Sequence, residues 1–224
     1  MKKLILPLLL LVAIGMLAAV ESDPSAVVGY FKKTIGDGVY QAIALPFDYP
    51  DLSVGAVLGD QFAEGDEATD INSGFGTTYY SGFGWDGDLT TLAYGAGYYI
   101  HRATGNGVAN YYLLGTVDPN AFTVTIYGNG AYTAFGLDEA APVALTDALF
   151  GTNETEGDGI TEIDTGLGAT YYAGYGWDGD LVATGIAPTF AYYYNCVGAS
   201  NFVWTYTPTR GAVTQTLMST GNSK

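Results

Sequence analysis

The chain has 224 residues and a formal net charge of −16, with 23 acidic residues against seven lysines and arginines. A surface this acidic repels nucleic acid and anionic lipid, which excludes both as partners. A single cysteine and a single histidine, Cys196 and His101, exclude an intramolecular disulfide and a Cys/His zinc site, so the fold must rest on buried apolar surface.

The first element, residues 1–20, reads as a secretory signal peptide: Lys2-Lys3, an apolar run from Leu4 to Val20 and small residues at Ala18-Ala19, with cleavage expected near Ala19 or Val20. An uncleaved anchor is the other reading, because 17 apolar residues lie at the lower end of a membrane span. Cleavage removes two lysines and no acid, which moves the formal charge from −16 to −18. The Lys-Lys start, with no cysteine at the junction, suggests bacterial export without a lipid anchor. The mature chain is expected to be secreted or held at the cell surface, with no membrane span of its own.

Beyond the signal, 32 glycines and 19 tyrosines describe short strands joined by tight turns. Val28 to Ile35, the turn Gly36-Asp37-Gly38 and Val39 to Leu45 read as an opening hairpin, because such turns supply the positive φ that two-residue hairpin loops need. A short helical turn follows over Asp51 to Leu58, between Pro50 and Gly59. Next come an acidic stretch, a strand from Thr77 to Tyr80, the segment Trp85-Asp86-Gly87-Asp88, and two strands near Gly97 to Arg102 and Tyr111 to Val117.

The same order then repeats. Residues 64–89 and 156–181 are identical at 17 of 26 positions at a constant offset of 92, and Gly128-Asn129-Gly130 takes the place of Gly36-Asp37-Gly38. One structural unit was duplicated. In the second copy the hairpin is Phe122 to Tyr127 and Ala131 to Leu137, and the helical turn is Val143 to Phe150 before Gly151. The strands are Ala169 to Tyr172, Phe190 to Tyr194 and Phe202 to Thr207. The expected fold is all-β: two tandem pseudo-repeats of about 92 residues, each a small β-sandwich or barrel-like unit with one short helical turn. The units span residues 21–119 and 120–210, with Asp118-Pro119 as the step between them and a polar tail over 211–224.

The most specific local signal is Trp85-Asp86-Gly87-Asp88 and its copy Trp177-Asp178-Gly179-Asp180. Paired carboxylates around a glycine suit a hard cation such as calcium, which makes Asp66, Asp86, Asp88, Asp158, Asp178 and Asp180 candidate metal ligands. The bland alternative is a tight turn with a tryptophan plugging a small core. On the last strand Phe202, Trp204 and Tyr206 share one face. With Trp85 and Trp177 they form an aromatic set that stacks on sugar rings if exposed, and is ordinary inner-face packing if buried. Cys196, beside three tyrosines, is expected to be buried. No nucleophile elbow accompanies His101, so an enzyme is not expected.

These features point first to a secreted, non-catalytic β-repeat protein that serves as a structural or adhesive building block of a cell surface, matrix or filament, with self-association or a surface glycan as partner. A carbohydrate-binding module, calcium-dependent or not, is the alternative. A small outer-membrane β-barrel is a third reading, disfavoured by the acidic stretches and short strands.

Overall fold

The computed structural model describes residues 28–117, 121–139, 141–146 and 149–207; the expected signal segment, the Asp118-Pro119 step and the expected tail lie outside the described residues. In the first unit the strands are β1 (Val28–Ile35), β2 (Tyr40–Ile43), β3 (Glu67–Asp70), β4 (Gly76–Tyr80), β5 (Gly84–Gly87), β6 (Tyr98–His101) and β7 (Ala109–Thr116), with a helical turn α1 (Val54–Leu58) after β2. In the second they are β8 (Phe122–Ile126), β9 (Ala131–Phe135), β10 (Gly159–Glu162), β11 (Gly168–Tyr172), β12 (Gly176–Gly179), β13 (Tyr192–Cys196) and β14 (Phe202–Tyr206), with α2 (Asp180–Thr184) after β12.

Each unit packs a five-stranded antiparallel sheet against a two-stranded one. The orders are β2-β6-β3-β4-β5 facing β1-β7, and β9-β13-β10-β11-β12 facing β8-β14. The fold is therefore all-β, with a two-unit sandwich layout. Its described strands of four to eight residues lie in four open sheets, rather than in the closed ring of longer strands that a membrane barrel requires. No described helix is long and apolar enough to cross a membrane.

The expected opening hairpins are not hairpins. β1 pairs with β7 and β2 with β6, so Gly36-Asp37-Gly38 arches between the two layers of the sandwich; in the second unit β8 pairs with β14 and β9 with β13. A positive-φ turn reverses the chain but does not choose the ladder. Ile35 and Ile43, on either side of the arch, enter the same core from opposite sheets, which one sheet with a single buried face cannot arrange. Two strands read as loop also appear: the acidic stretch holds β3, and Trp85-Asp86-Gly87 lies on β5.

The helical turns differ between copies. α1 closes at Gly59, whose N–H donates to the Gly55 carbonyl. Its expected counterpart is absent at the described residues 143–146 and 149–150, where Val143 instead forms a bridge with Ile186. The second unit places its helix after β12. There Val182-Ala183 replace Thr90-Thr91, and Thr91 is engaged in a bridge to Ser53.

Buried side chains form one cluster per unit, the first around Leu45, Leu58, Tyr98, Ile100 and Leu113, the second around Phe135, Phe150, Ile160, Tyr192 and Trp204. Tyr94 packs against both. The units meet through reciprocal bonds. The Ala42 N–H donates to Asp164 Oδ1 at 2.8 Å, and the equivalent Ala134 N–H donates to Asn72 Oδ1 at 2.7 Å. The Ala44 N–H donates to the Thr189 carbonyl at 3.2 Å, and Gly136 to Gly95 at 3.1 Å. Between β5 and β6 the equivalence shifts by two, because the β12–β13 connection is two residues longer than β5–β6, so that Gly95 matches Thr189 and Tyr98 matches Tyr192. The equivalents Tyr99 and Tyr193 then bond each other, oxygen to oxygen, at 3.0 Å.

A pair that exchanges i→j and j→i contacts is related by a two-fold, here an approximate one passing between Tyr99 and Tyr193. On that axis a residue meets its own counterpart. A Cβ built on Gly136 would overlap the Cβ of Ala44, so the duplicated position has room for one methyl group and not two. These contacts also cap β2 and β9, edge strands whose N–H groups would otherwise be open to pairing.

Candidate functional site

Trp-Asp-Gly of each Trp-Asp-Gly-Asp segment lies on β5 or β12, the outer edges of the five-stranded sheets, with Asp88 just past β5 and Asp180 opening α2. Their glycines have a backbone reason. Gly87 has φ 152°, and a Cβ there would sit 2.5 Å from the Gly76 carbonyl oxygen on β4; Gly179 approaches Gly168 in the same way. Trp85 is half-buried against Phe62 and Tyr79, and its Nε1 donates to the Gly59 carbonyl at 3.2 Å. Trp177 is buried against Phe150, Tyr171 and Tyr194. Asp86, Asp88, Asp178 and Asp180 are exposed.

Asp66 and Asp158, assigned to the same metal set from sequence, are fully buried anchors of their own loops. Asp66 accepts from the Ala63 and Ala103 N–H groups at 2.9 and 3.0 Å, from Asn106 Nδ2 at 3.0 Å and from Arg102 Nη1 at 2.5 Å. Burial alone would raise its pKa, but these four donors outweigh burial and hold the carboxyl below the usual range. Asp158 accepts from the Thr155 and Val197 N–H groups and from the Tyr194 hydroxyl, between 2.8 and 2.9 Å. Carboxylates satisfied in this way are not available to a cation beside Asp86 or Asp178. Among the described residues no three His, Cys, Asp or Glu side chains gather closely enough to hold a metal.

The aromatic set also separates. Trp204 is 2% and Tyr206 7% exposed; Trp204 packs on Phe122, Phe135 and Phe150 and donates from Nε1 to the Leu149 carbonyl, while the Tyr206 hydroxyl donates to Glu139 at 2.7 Å. Phe202 is partly buried against Tyr194. The row is inner-face packing, so Trp204, Tyr206 and Trp177 are not stacking platforms. Cys196 is buried as expected, and burial together with the charge of Asp158 pushes its thiol pKa up.

Two features escaped the sequence reading. The first is the tip of the β4–β5 hairpin, where Phe83 is 94% exposed, and its copy on β11–β12, where Tyr175 is 82% exposed. Beside Phe83 runs an open groove of about 550 Å³ lined by Glu64, Tyr80, Ser81, Trp85 and Asp86. Glu64 shapes it by accepting the Ser81 N–H at 2.7 Å, as Glu156 accepts that of Ala173. The signal was present in Gly-aromatic-Gly, since a bulky ring between two glycines at a hairpin tip has little to pack against.

The second is Lys33, which points inward from β1 opposite Tyr111 and reaches the seam between the units. Its Nζ lies 3.5 Å from the centre of the Phe190 ring and makes no hydrogen bond; the Tyr111 hydroxyl and Glu162 Oε1 are likewise buried without hydrogen-bond partners. Burial lowers the Lys33 pKa to about 8 even though Asp164 and Glu162 pull it upward. β1 alternates Phe31, Lys33 and Ile35 on its inner face, a pattern in which a lysine breaks the apolar stripe and marks the position.

Searches of protein-family models, curated proteins and solved structures found nothing that matches this chain.

Proposed function

We propose that the chain is a secreted, non-catalytic β-repeat protein that acts as a structural or adhesive building block of a cell surface, extracellular matrix or filament. The observation that carries this reading is the outer face of the β1–β7 sheet. Tyr30 lies opposite Leu114 and Lys32 opposite Tyr112, all exposed, so a flat apolar strip surrounds the one exposed lysine or arginine among the described residues. The matching face of the second unit carries Thr123, Thr125, Val203 and Thr205, all exposed and uncharged. Contact between two unlike faces is heterologous, and such a contact runs on into an open-ended assembly unless its rotation closes a ring. The outer edge of β1, which has no further ladder partner among the described residues, offers a second route.

The test is sizing and negative-stain imaging of residues 21–224 at rising concentration, beside Leu114→Glu. Concentration-dependent assemblies are expected for the natural sequence, strengthening with salt as the acidic surfaces are screened, and a monomer for the variant. A natural chain that stays monomeric at millimolar concentration and high salt refutes the assembly reading.

A further inference from the structure

We infer that the hairpin tips β4–β5 and β11–β12 are two equivalent binding sites for neutral pyranose glycans, each stacking a sugar ring on an exposed aromatic face beside an open carboxylate. The argument starts from the duplication. Several residues kept in both copies of the segment 64–89 have a task in the fold: Gly87 and Gly179 at a close backbone approach, Asp66 and Asp158 as loop anchors, Glu64 and Glu156 on the hairpin N–H groups. Such residues persist whether or not the protein binds anything.

Phe83 and Tyr175 have no such task. Their rings are 94% and 82% exposed, and each is joined to its hairpin only through a backbone N–H, to Tyr80 and Tyr172 respectively. The position is phenylalanine in one copy and tyrosine in the other, so both carry a ring where packing places no demand on it. Tyr80 and Tyr172, also exposed, flank the tips, and Asp86 and Asp178 stand exposed on the adjoining edge strands.

The chemistry of the groove selects the ligand. Its acidic side chains are the carboxylates Glu64 and Asp86, and no lysine, arginine or histidine lines it. The occupant must therefore bring hydroxyl or N–H donors together with an apolar face. A pyranose ring has both: equatorial hydroxyls that donate to Asp86, and a C–H face that covers an aromatic ring. Uronate and sulfate glycans are excluded by like charge, reinforced by the net charge of −16. A groove of about 550 Å³ lies within the size range of small-ligand sites. Two such tips on one chain favour polymers over single sugars, because the second ring is captured at high effective concentration.

The experiment is retention of the mature chain on insoluble β-glucan, mannan and chitin, with titration of the matching soluble oligosaccharides, and with alginate and poly-lysine as charged controls. Leu114→Glu serves as the background, so that assembly does not contribute. The expected result is binding to at least one neutral glycan with two sites per chain, and a change in Trp85 fluorescence. Phe83→Ala with Tyr175→Ala should lower retention at least tenfold, while Tyr30→Ala leaves it unchanged; circular dichroism of the double variant should match the parent, since both rings are solvent-exposed. Failure of every neutral glycan to bind, retention by poly-lysine alone, or binding that survives the double substitution overturns the inference. A monomeric chain that still binds glycan leaves the inference standing and refutes only the assembly reading.

Discussion

Replacing Lys33 with methionine removes a buried charge from the seam while keeping a flexible chain of similar length. The Lys33 ammonium has the Phe190 ring on one side and Tyr111, Glu162 and Asp164 as its polar surroundings, without a hydrogen bond to any of them. Its pKa falls from 10.5 to about 8 on folding, which corresponds to roughly 3 kcal/mol of lost stability wherever both states are charged. Between pH 8 and 10.5 the unfolded chain binds the proton and the folded chain does not, so the contribution of Lys33 to stability rises with pH across that window. Integration gives about 2 kcal/mol of recovery from pH 7 to 9.5, or roughly 4–8 °C in Tm for a chain of this size. Above about pH 9 the sign of the total reverses. Tyr49, Tyr94, Tyr98, Tyr111 and Tyr194 have pKa values raised chiefly by burial, so the unfolded chain loses its phenolic protons first. Urea and thermal melts of both proteins at half-unit steps from pH 6.5 to 10.5 provide the comparison. The natural chain should show its maximum near pH 9, and Lys33→Met should be more stable at pH 7 and show no rise toward pH 9, so that the gap between the two closes by about 2 kcal/mol from pH 7 to 9.5. The gain at pH 7 is expected to be below 3 kcal/mol, because the variant also removes a cation that lowers the Glu162 pKa. The raised thiol of Cys196 acts in the opposite direction near pH 9 but is common to both proteins and cancels in their difference. Loss of stability between pH 7.5 and 9, or an equal rise in both proteins, refutes the reasoning.

Gly136→Ala places a second methyl group on the approximate two-fold axis against Ala44, and an overpacked seam of this kind is expected to cost about 1–3 kcal/mol in a thermal melt. Adding Ala44→Gly should restore most of the loss, since the pair again carries one methyl; absence of rescue counts against the axis. Asp66→Asn leaves the Arg102 guanidinium buried without its carboxylate and should cost about 3–5 kcal/mol by urea unfolding. Asp158→Asn, which keeps an acceptor for neutral donors only, should cost about 1–3 kcal/mol.

Much of the fold was legible because duplication and alternation are local signals. The repeat offset fixed the unit, and strands such as Phe122–Ile126 showed their buried face in the residues themselves. Pairing was less legible. The turn at Gly36-Asp37-Gly38 is compatible with a hairpin and with an arch, and only the need to cover Ile35 and Ile43 from both sides selects the arch. For the candidate site the difficulty was exposure. Trp204 and Phe83 are both aromatic residues in strand-rich sequence, yet one is sealed under Phe122, Phe135 and Phe150 and the other stands in solvent. Asp66 and Asp86 are both acids near a glycine, but the donors that consume Asp66 come largely from residues 102–106, more than thirty positions away.

The sequence by itself determined the repeat, the all-β class, the acidic surface and the burial of Cys196, because composition and a two-residue period act through neighbouring residues. Tertiary structure decided which strands share a sheet, that the units meet about an approximate two-fold axis, and which aromatic rings and carboxylates remain open. Those outcomes depend on contacts between residues such as Ala42 and Asp164, 122 positions apart, whose meeting is set by how two closed cores fit together rather than by any local preference.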